Sequence, residues 1–514
     1  MGLAHALAGA TIVAAGIALG AAAPVSPVRE ELAAQVELVS PAALTRLADD
    51  WEKTWGPNGV QALVDTSEVV AALRAFAAAA DAEKIAAKAA LAAGDETKAR
   101  ALLARQRRLL ARHPLVKGLE ILAVKHTDEG VAHTLDPDYE PGRGHNVYKQ
   151  SKGRPARYEA HPGLPMLSCY NNLDVEKNLP SSLVVLSGLD GETVAERELY
   201  RPAAPATIHS VDLEFDGRRI LFVAPDPATS NAWRLFEADV AGGPAKALLP
   251  AEFIHEAADC CWLPDGRIVF TSDAGEQGLP CESGRVKMTN LYRLDPVSGK
   301  VDRLTYDQDS DWYPSVLNDG RVQYVRWEYC DTSHFFSRIV MTMNPDGTRQ
   351  MGFYGSNEYW PNHFGSPLAI PGDNGKFICV ATGHHTPKAG KLCLFDAERG
   401  HTGGQGAVQM IPGWGKPPDV RIEDRLYINA YPRFLQPFPL GTSPADGAGK
   451  FFLVAMKPSP RALWGLYLVD TFDNITLLRE TEGWSFNEPI ALKARKRPPA
   501  IPDRRRENVP YCTM

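Results

Sequence analysis

Between Asp259 and Tyr324 the chain reads DCCWLPDGRIVFTSD, then TNLYRLDPVSGKVDRLT, then DSDWYPSVLNDGRVQYV. A tight Asp-Gly turn, a β-branched strand, a second hairpin and the same opening again describe a repeating antiparallel sheet. The punctuation recurs along the chain: Gly217, Gly266, Gly320, Gly375 and Gly449 each follow a turn and open a strand, RRILF, RIVF, RVQY, KFICV and KFFLV. A second strand pair lies downstream of each, which makes five four-stranded units at roughly the spacing of propeller blades or somewhat above it. A sixth unit is split. LVVLSGLDGETVAEREL (Leu183 to Leu199) has a second-hairpin pattern without a first, and EPIAL (Glu488 to Leu492) has an opening strand without a continuation. Joining the halves closes a ring and removes open sheet edges. The expected fold is mainly β, a six-bladed β-propeller over 181–495 closed by its N- and C-terminal strands and preceded by a small α-helical region.

The flanking segments read differently. Residues 1–23 are small and apolar up to the Ala21-Ala22-Ala23 run before Pro24, as in a secretory signal, although the segment has no Lys or Arg, and an uncleaved anchor is the alternative. Residues 24–115 form a helical cap or coiled-coil arm, with helices expected from Thr66-Ser67 to Ala80, from Asp81 to Gly94 and from Asp95 to His113. In the last of these Leu102, Leu103, Gln106, Leu109 and Leu110 make the apolar stripe, and Arg105, Arg107, Arg108 and Arg112 fall on a solvated face. Residues 116–180 are a connector that opens with a strand at Leu119 to Val124, and 496–514 are a basic, Pro-rich, solvated tail. The 43 Gly and 40 Pro suit a many-stranded β protein, and a net charge of −7 argues against a nucleic-acid partner. No stretch after the signal approaches the length of a membrane span. Export places the eight cysteines where disulfides persist, and Cys260 and Cys261 are expected to point to opposite faces of a strand.

Chemistry is expected on one face of the ring. In a blade the turns inside the first and second hairpins share one face, and the loops joining the second strand to the third share the other. The insertions TSDAGEQGLPCESGRVKM, VRWEYCDTSHFFS and TGHHTPKAG bring Cys281, Glu328, Cys330, Asp331, His334, His384 and His385 to that second face. Blade-to-blade connections add His255, Glu256, Trp360, Asn362 and His363. Imidazole, thiolate and carboxylate groups converging from separate blades have the composition of a transition-metal site, with His384, His385, Cys281 and Cys330 as ligands and zinc as the metal, although no HExxH, CxxC or HxH spacing supports it. The tandem His384-His385 is the strongest pair, because an exposed loop gives it little packing role. Asp307, Asp309 and Asp311 alternate as in a calcium loop. Trp312 replaces the required glycine, however, and a D-x-x-P strand opening through Pro314 is the better reading. No GxSxG, Walker A or GxGxxG motif is present.

Three segments, VLNDGRVQYVRWEYCDTSHFFSRIVMTMNPDGTRQMGFYGSNEYWPN, ATGHHTPKAGKLCLFDAERG and KPSPRALWGLYLVDTFDNITLL, resemble the middle region of the hydrazine synthase alpha subunit and its secreted relatives. The resemblance runs from Leu115 to Asp503 and rests on RWEY, GSNEYWPN, GHH and LVDTFDN together. It implies a propeller, a periplasmic or secreted location and assembly with other subunits. That family's alpha subunit carries covalent c-type haem, which needs CxxCH; the motif is absent here, so no such haem is expected. Trp327, Glu328, His384 and His385 match the family motifs without an assigned role. The expected function is therefore an exported binding or scaffold propeller. Its ligand- or partner-binding face holds Trp327, Glu328, His334, His363, His384 and His385, and it engages a protein partner or a small molecule. The alternatives are a metal-dependent, oxidoreductase-like enzyme on that face, or a subunit of a multi-haem complex.

Overall fold

The computed structural model describes residues 27–505, apart from 58, 60–65, 129–133, 136–147, 150–163, 166, 167, 169, 280–283, 285, 330–336 and 461. Six four-stranded antiparallel sheets form the ring. Blade one is His209–Leu213, Arg219–Asp226, Ala232–Asp239 and Lys246–Ala247. Blade two is Ala257–Trp262, Ile268–Ser272, Asn290–Leu294 and Val301–Arg303. Blade three is Asp311–Val316, Val322–Trp327, Arg338–Met343 and Met351–Tyr354. Blade four is His363–Ala369, Lys376–Thr382, Lys391–Asp396 and Ala407–Ile411. Blade five is Arg433–Pro439, Phe451–Lys457, Gly465–Asp470 and Ile475–Arg479. The ring is a six-bladed propeller.

Blade six joins the two ends of the chain, in a different ratio from the expected half and half. Its inner strand is Trp484–Ala491, and Ile121–Thr127, Ser181–Ser187 and Ala195–Tyr200 supply the other three. The strand read as the opening of the connector is thus a central member of the closing sheet, hydrogen-bonded on both sides. Its run Ile121 to Val124 is fully buried, as a strand covered on both faces should be.

Strand alternation builds the core. Successive side chains point to opposite faces, so each blade feeds two interfaces at once. Ile268 and Phe270 pack toward blade one, while Val269 between them packs toward blade three. Cys260 and Cys261 divide in the same way between those two clusters. Every inner strand also carries a register slip with one left-handed residue: Ser210, Asp259, Tyr313, Ser366, Gln436 and Glu488. In four blades the next residue is proline, which has no N–H for the ladder and belongs at such a bulge. Asp311 to Pro314 is one of these openings, so the structural reading of that acidic run fits, and buried Asp311 lies 3.4 Å from the Arg326 guanidinium.

Four helices precede the ring: α1 (Pro27–Glu37), α2 (Pro41–Trp55), α3 (Thr66–Ala92) and α4 (Thr97–Leu110). Ser40 caps α2 by accepting from Ala43 N. The break expected at Asp81 does not occur, because the Ala-rich sequence on either side continues one helix through it. The helices lie against blades five and six, with Trp51 and Trp55 packed on His113 and His113 on Phe451. Gln106 donates to Ile475 O. Arg107, expected on a solvated face, is buried and donates to Leu189 O and Glu192 O of the outer hairpin of blade six. The region is therefore a cap over the junction where the two chain ends meet. No described helix is long and apolar enough to cross a membrane.

The C-terminal segment is also docked through residue 505 by specific polar contacts, while most of its residues stay exposed, as expected from its composition. Arg495 bonds Phe215 O and Asp212, and the Asp503 carboxylate accepts from both Arg267 and Arg293 at 2.8–3.0 Å. Two turn glycines make room for it. A Cβ on Gly217 (φ +75°) would meet Ala494 N at 2.8 Å, and one on Gly320 (φ +89°) would meet Pro499 O at 2.1 Å. Residues 1–23, read from the sequence as a secretory signal, lie outside the described residues.

Candidate functional site

The loops joining second to third strands and the blade-to-blade connections share one face, as the topology requires. Its centre is built on blade three. Trp327 ends the second strand, Arg338 opens the third, and the two are cross-strand partners. Trp312 of the inner strand stacks on Trp327 at 5.9 Å, and the Arg338 guanidinium lies 4.5 Å above the Trp327 ring. All three side chains are buried. A desolvated cation over an indole is a rigid platform.

Blade four sets two histidines on this platform. His384 N donates to Asp424 O and to Asn362 Oδ1, which pins the loop after Thr382. Ser168 of the connector donates to His384 O at 2.6 Å, and its own N–H bonds Thr386 O. The His384 ring is 3% exposed, 5.6 Å from Trp327, with Arg338 Nη2 at 2.7 Å from its Nδ1. Guanidinium is a donor only, so Nδ1 accepts and the neutral ring carries its proton on Nε2. Burial, with Arg338 next, pushes the His384 pKa well below its usual range. His385 meets the opposite kind of partner. Its Nδ1 is 2.8 Å from Asp424 Oδ2, a carboxylate that can only accept, so Nδ1 carries a proton and donates it to this bond. The two rings are 4.1 Å apart, and the His385 and Asp424 side chains are 45% and 42% exposed. One buried and one half-exposed histidine thus stand side by side, the first accepting and the second donating at Nδ1.

The sequence-expected residues divide into three groups. Trp327, His363, His384 and His385 come together, with His363 buried and stacked 5.7 Å from Trp312. Burial and then Arg338 hold His363 well below the usual histidine pKa. Glu328 is half-buried beside Trp327, with its N–H on Ser337 O. His334, Cys281 and Cys330 lie outside the described residues. The premise that the tandem has little packing role fails for His384, a core residue held by backbone anchors, and holds for His385. Sequence reasoning missed Arg338, Asp424, Ser168 and Lys388. The last stands in the quoted TGHHTPKAG loop, is 5% exposed, and donates to Asn172 Oδ1 at 2.8 Å. An arginine at a strand end and a lysine in a loop both read as solvated, so no local signal marked them.

His384, His385 and Asp424 place one ligand atom each within 4.8 Å of one another. Their hydrogen bonds bear on what that trio can hold. A metal-binding histidine normally donates its second ring N–H to a carboxylate or carbonyl, as His385 does to Asp424, whereas His384 meets a donor at Nδ1.

No family model and no curated protein matches the chain. Among solved structures it is similar to hydrazine synthase of Kuenenia stuttgartiensis, at 13% identity and a TM-score of 0.49 over 75% of this chain and 48% of that one. It is also similar to TolB from Acinetobacter baumannii, at 13% identity and a TM-score of 0.38 over 78% and 73%. For a TolB homologue from Agrobacterium tumefaciens the values are 15%, 0.33, 55% and 87%. The chain spans about half the length of the hydrazine synthase chain it matches. The likeness to these proteins is one of fold.

Proposed function

We propose that the chain is an exported binding propeller, a haem-less relative of the hydrazine synthase alpha subunit, that engages a partner on its loop-bearing face. The observation that supports this most is the His385–Asp424 pair, half exposed and standing on the buried Arg338–Trp327–His384 platform. A rigid buried base under a few accessible polar groups is how a recognition surface holds its geometry. The exposed His385 ring and Asp424 carboxylate are polar contacts suited to a group such as an amide or a hydroxyl. The test is affinity capture from the native exported fraction, using the wild-type chain and the His385→Ala/Asp424→Ala variant. A component kept by the wild type and lost by the variant is the expected result, and a cytochrome among the captured chains would assign the protein to a multi-haem complex. Identical profiles, or turnover of nitrogen oxides by the purified chain alone, would overturn the reading.

Zinc on the same face is the second reading, favoured by the 4.8 Å grouping of His384, His385 and Asp424. It requires His384 to bind through Nε2 while Arg338 keeps its cation at Nδ1, an arrangement that weakens a histidine ligand. Elemental analysis after purification without chelators decides it. One zinc per chain, lost in the His384→Ala/His385→Ala variant, would establish the metal, and metal-free protein would remove it.

A further inference from the structure

The six bulged inner strands leave a cavity of about 300 Å³ on the ring axis, bordered at its outer end by Lys493 to Lys496 of the docked tail. That volume is at the lower end of small-ligand sites. Residues after the bulges, Val211, Leu213, Val316, Leu368, Phe438 and Ile490 among them, make its wall apolar. The bulge residues make its floor polar, and two of them are acids on the blades that flank blade one, Asp259 and Glu488.

The two acids differ in how they are satisfied. Glu488 accepts from Ser210 N, Val211 N and Gln436 Nε2, which ties blade six to blades one and five. Asp259 is 5% exposed and receives Asn172 Nδ2 at Oδ1, its buried Oδ2 makes no hydrogen bond of good geometry, and Ser210, Tyr313 N and the Lys388 ammonium lie close to the carboxylate. A buried carboxylate oxygen without a well-formed hydrogen bond is unusual in a native fold and marks a place where a donor fits. Burial raises the pKa of both acids, Glu488 to about 7. At the outer end Arg495 is engaged by Asp212, while Lys493 and Lys496 are exposed.

We propose that this axial cavity binds a short apolar peptide with a free amino terminus, its ammonium group on Asp259 and its carboxylate toward Lys493 and Lys496. Acid floor, apolar wall and basic rim match the three parts of such a zwitterion in order, and an ammonium supplies Asp259 Oδ2 with a well-aligned donor. The site is on the axis, separate from the loop-bearing surface, so it stands or falls without the reading given for that surface.

Isothermal titration of the full chain with the tripeptide Val-Leu-Ala, its N-acetyl form and its C-terminal amide tests this. The free tripeptide is expected to bind, and acetylation to weaken it by about tenfold or more. A smaller loss on amidation supports the role of the lysines. Asp259→Asn keeps shape and tolerates the left-handed backbone, and is expected to lose about tenfold. Ala494→Trp, at an exposed position on the rim, is expected to weaken binding with the floor intact. Equal affinity of the acetylated peptide, or no binding of the free one by wild-type chain, would overturn the proposal.

Discussion

Replacing Arg338 with alanine is expected to lower stability by about 3–5 kcal/mol and to free the loop carrying His384 and His385. Two losses combine. A desolvated cation over an indole contributes about 2 kcal/mol, and the guanidinium lies 4.5 Å over Trp327. His384 Nδ1 then loses the donor at 2.7 Å in a buried site, which costs about 1–3 kcal/mol. Chemical denaturation gives the total, and amide exchange across Gly383 to Lys388 reports the loop. Arg338→Lys keeps the charge without the planar fork and is expected to recover only part of the loss. A change below about 1 kcal/mol, as for an ordinary surface arginine, would show that the platform is not under load.

Acid unfolding is expected to begin abruptly, with little change in stability from neutral pH down to about 4.5 and a steep fall below 4. The sign follows from two opposed sets of buried groups. Burial lowers His113, His126 and His209 from 6.5 to about 3. Such a histidine takes up its proton only on unfolding, so its contribution is complete above 6.5 and is lost as pH falls toward 3. Burial raises Asp470 and Glu488 to about 7 and Asp174 to about 6. Those carboxyls hold a proton in the fold that the unfolded chain releases, so their contribution is present below the ordinary carboxylate value and is lost as pH rises through 6 to 7. Between about 4 and 6.5 the two sets offset each other. Below 4 the raised carboxyls no longer compensate, and His363, His384 and carboxylates held low in the fold, such as Asp503, add to the fall. The three histidines near 3 alone take about 1.4 kcal/mol per pH unit each, or about 4 together. That is comparable to the whole stability of a typical domain, roughly 5–15 kcal/mol, within two units. Urea midpoints at pH 7, 5 and 3.5 check the shape. His113→Phe, which keeps the aromatic contacts with Trp51, Trp55 and Phe451, should reduce the acid slope by one proton's share, about 1.4 kcal/mol per pH unit.

Legibility of the fold followed the range of the interactions. Turn glycines and strand alternation are local, so five blades could be read from Gly217 to Gly449. The partner of Trp484–Ala491 is not local. It is Ile121–Thr127, more than 350 positions away, and nothing in the apolar run Ile121 to Val124 says which sheet it joins. The tail shows the same limit. A basic Pro-rich run has no periodicity, and its docking depends on Asp503 meeting Arg267 and Arg293 from another blade. At the candidate site the topology placed the right loops on one face. The tandem read as exposed because loop histidines usually are; His384 is buried because Asn362, Asp424 and Ser168 hold its backbone and Arg338 receives its ring. Arg338 and Asp424 were invisible for the complementary reason. Their roles come from partners 46 and 39 positions away.

The most direct measurement of the binding claim compares the two faces of the ring in the native host. A photo-crosslinking residue is installed at His385 on the loop-bearing face or at Val297, which is 95% exposed in a hairpin turn of the opposite face. Irradiation is expected to give a discrete adduct from position 385 and none from position 297. An adduct from 297 alone, or none from either position, would contradict the assignment of partner binding to the His385–Asp424 surface.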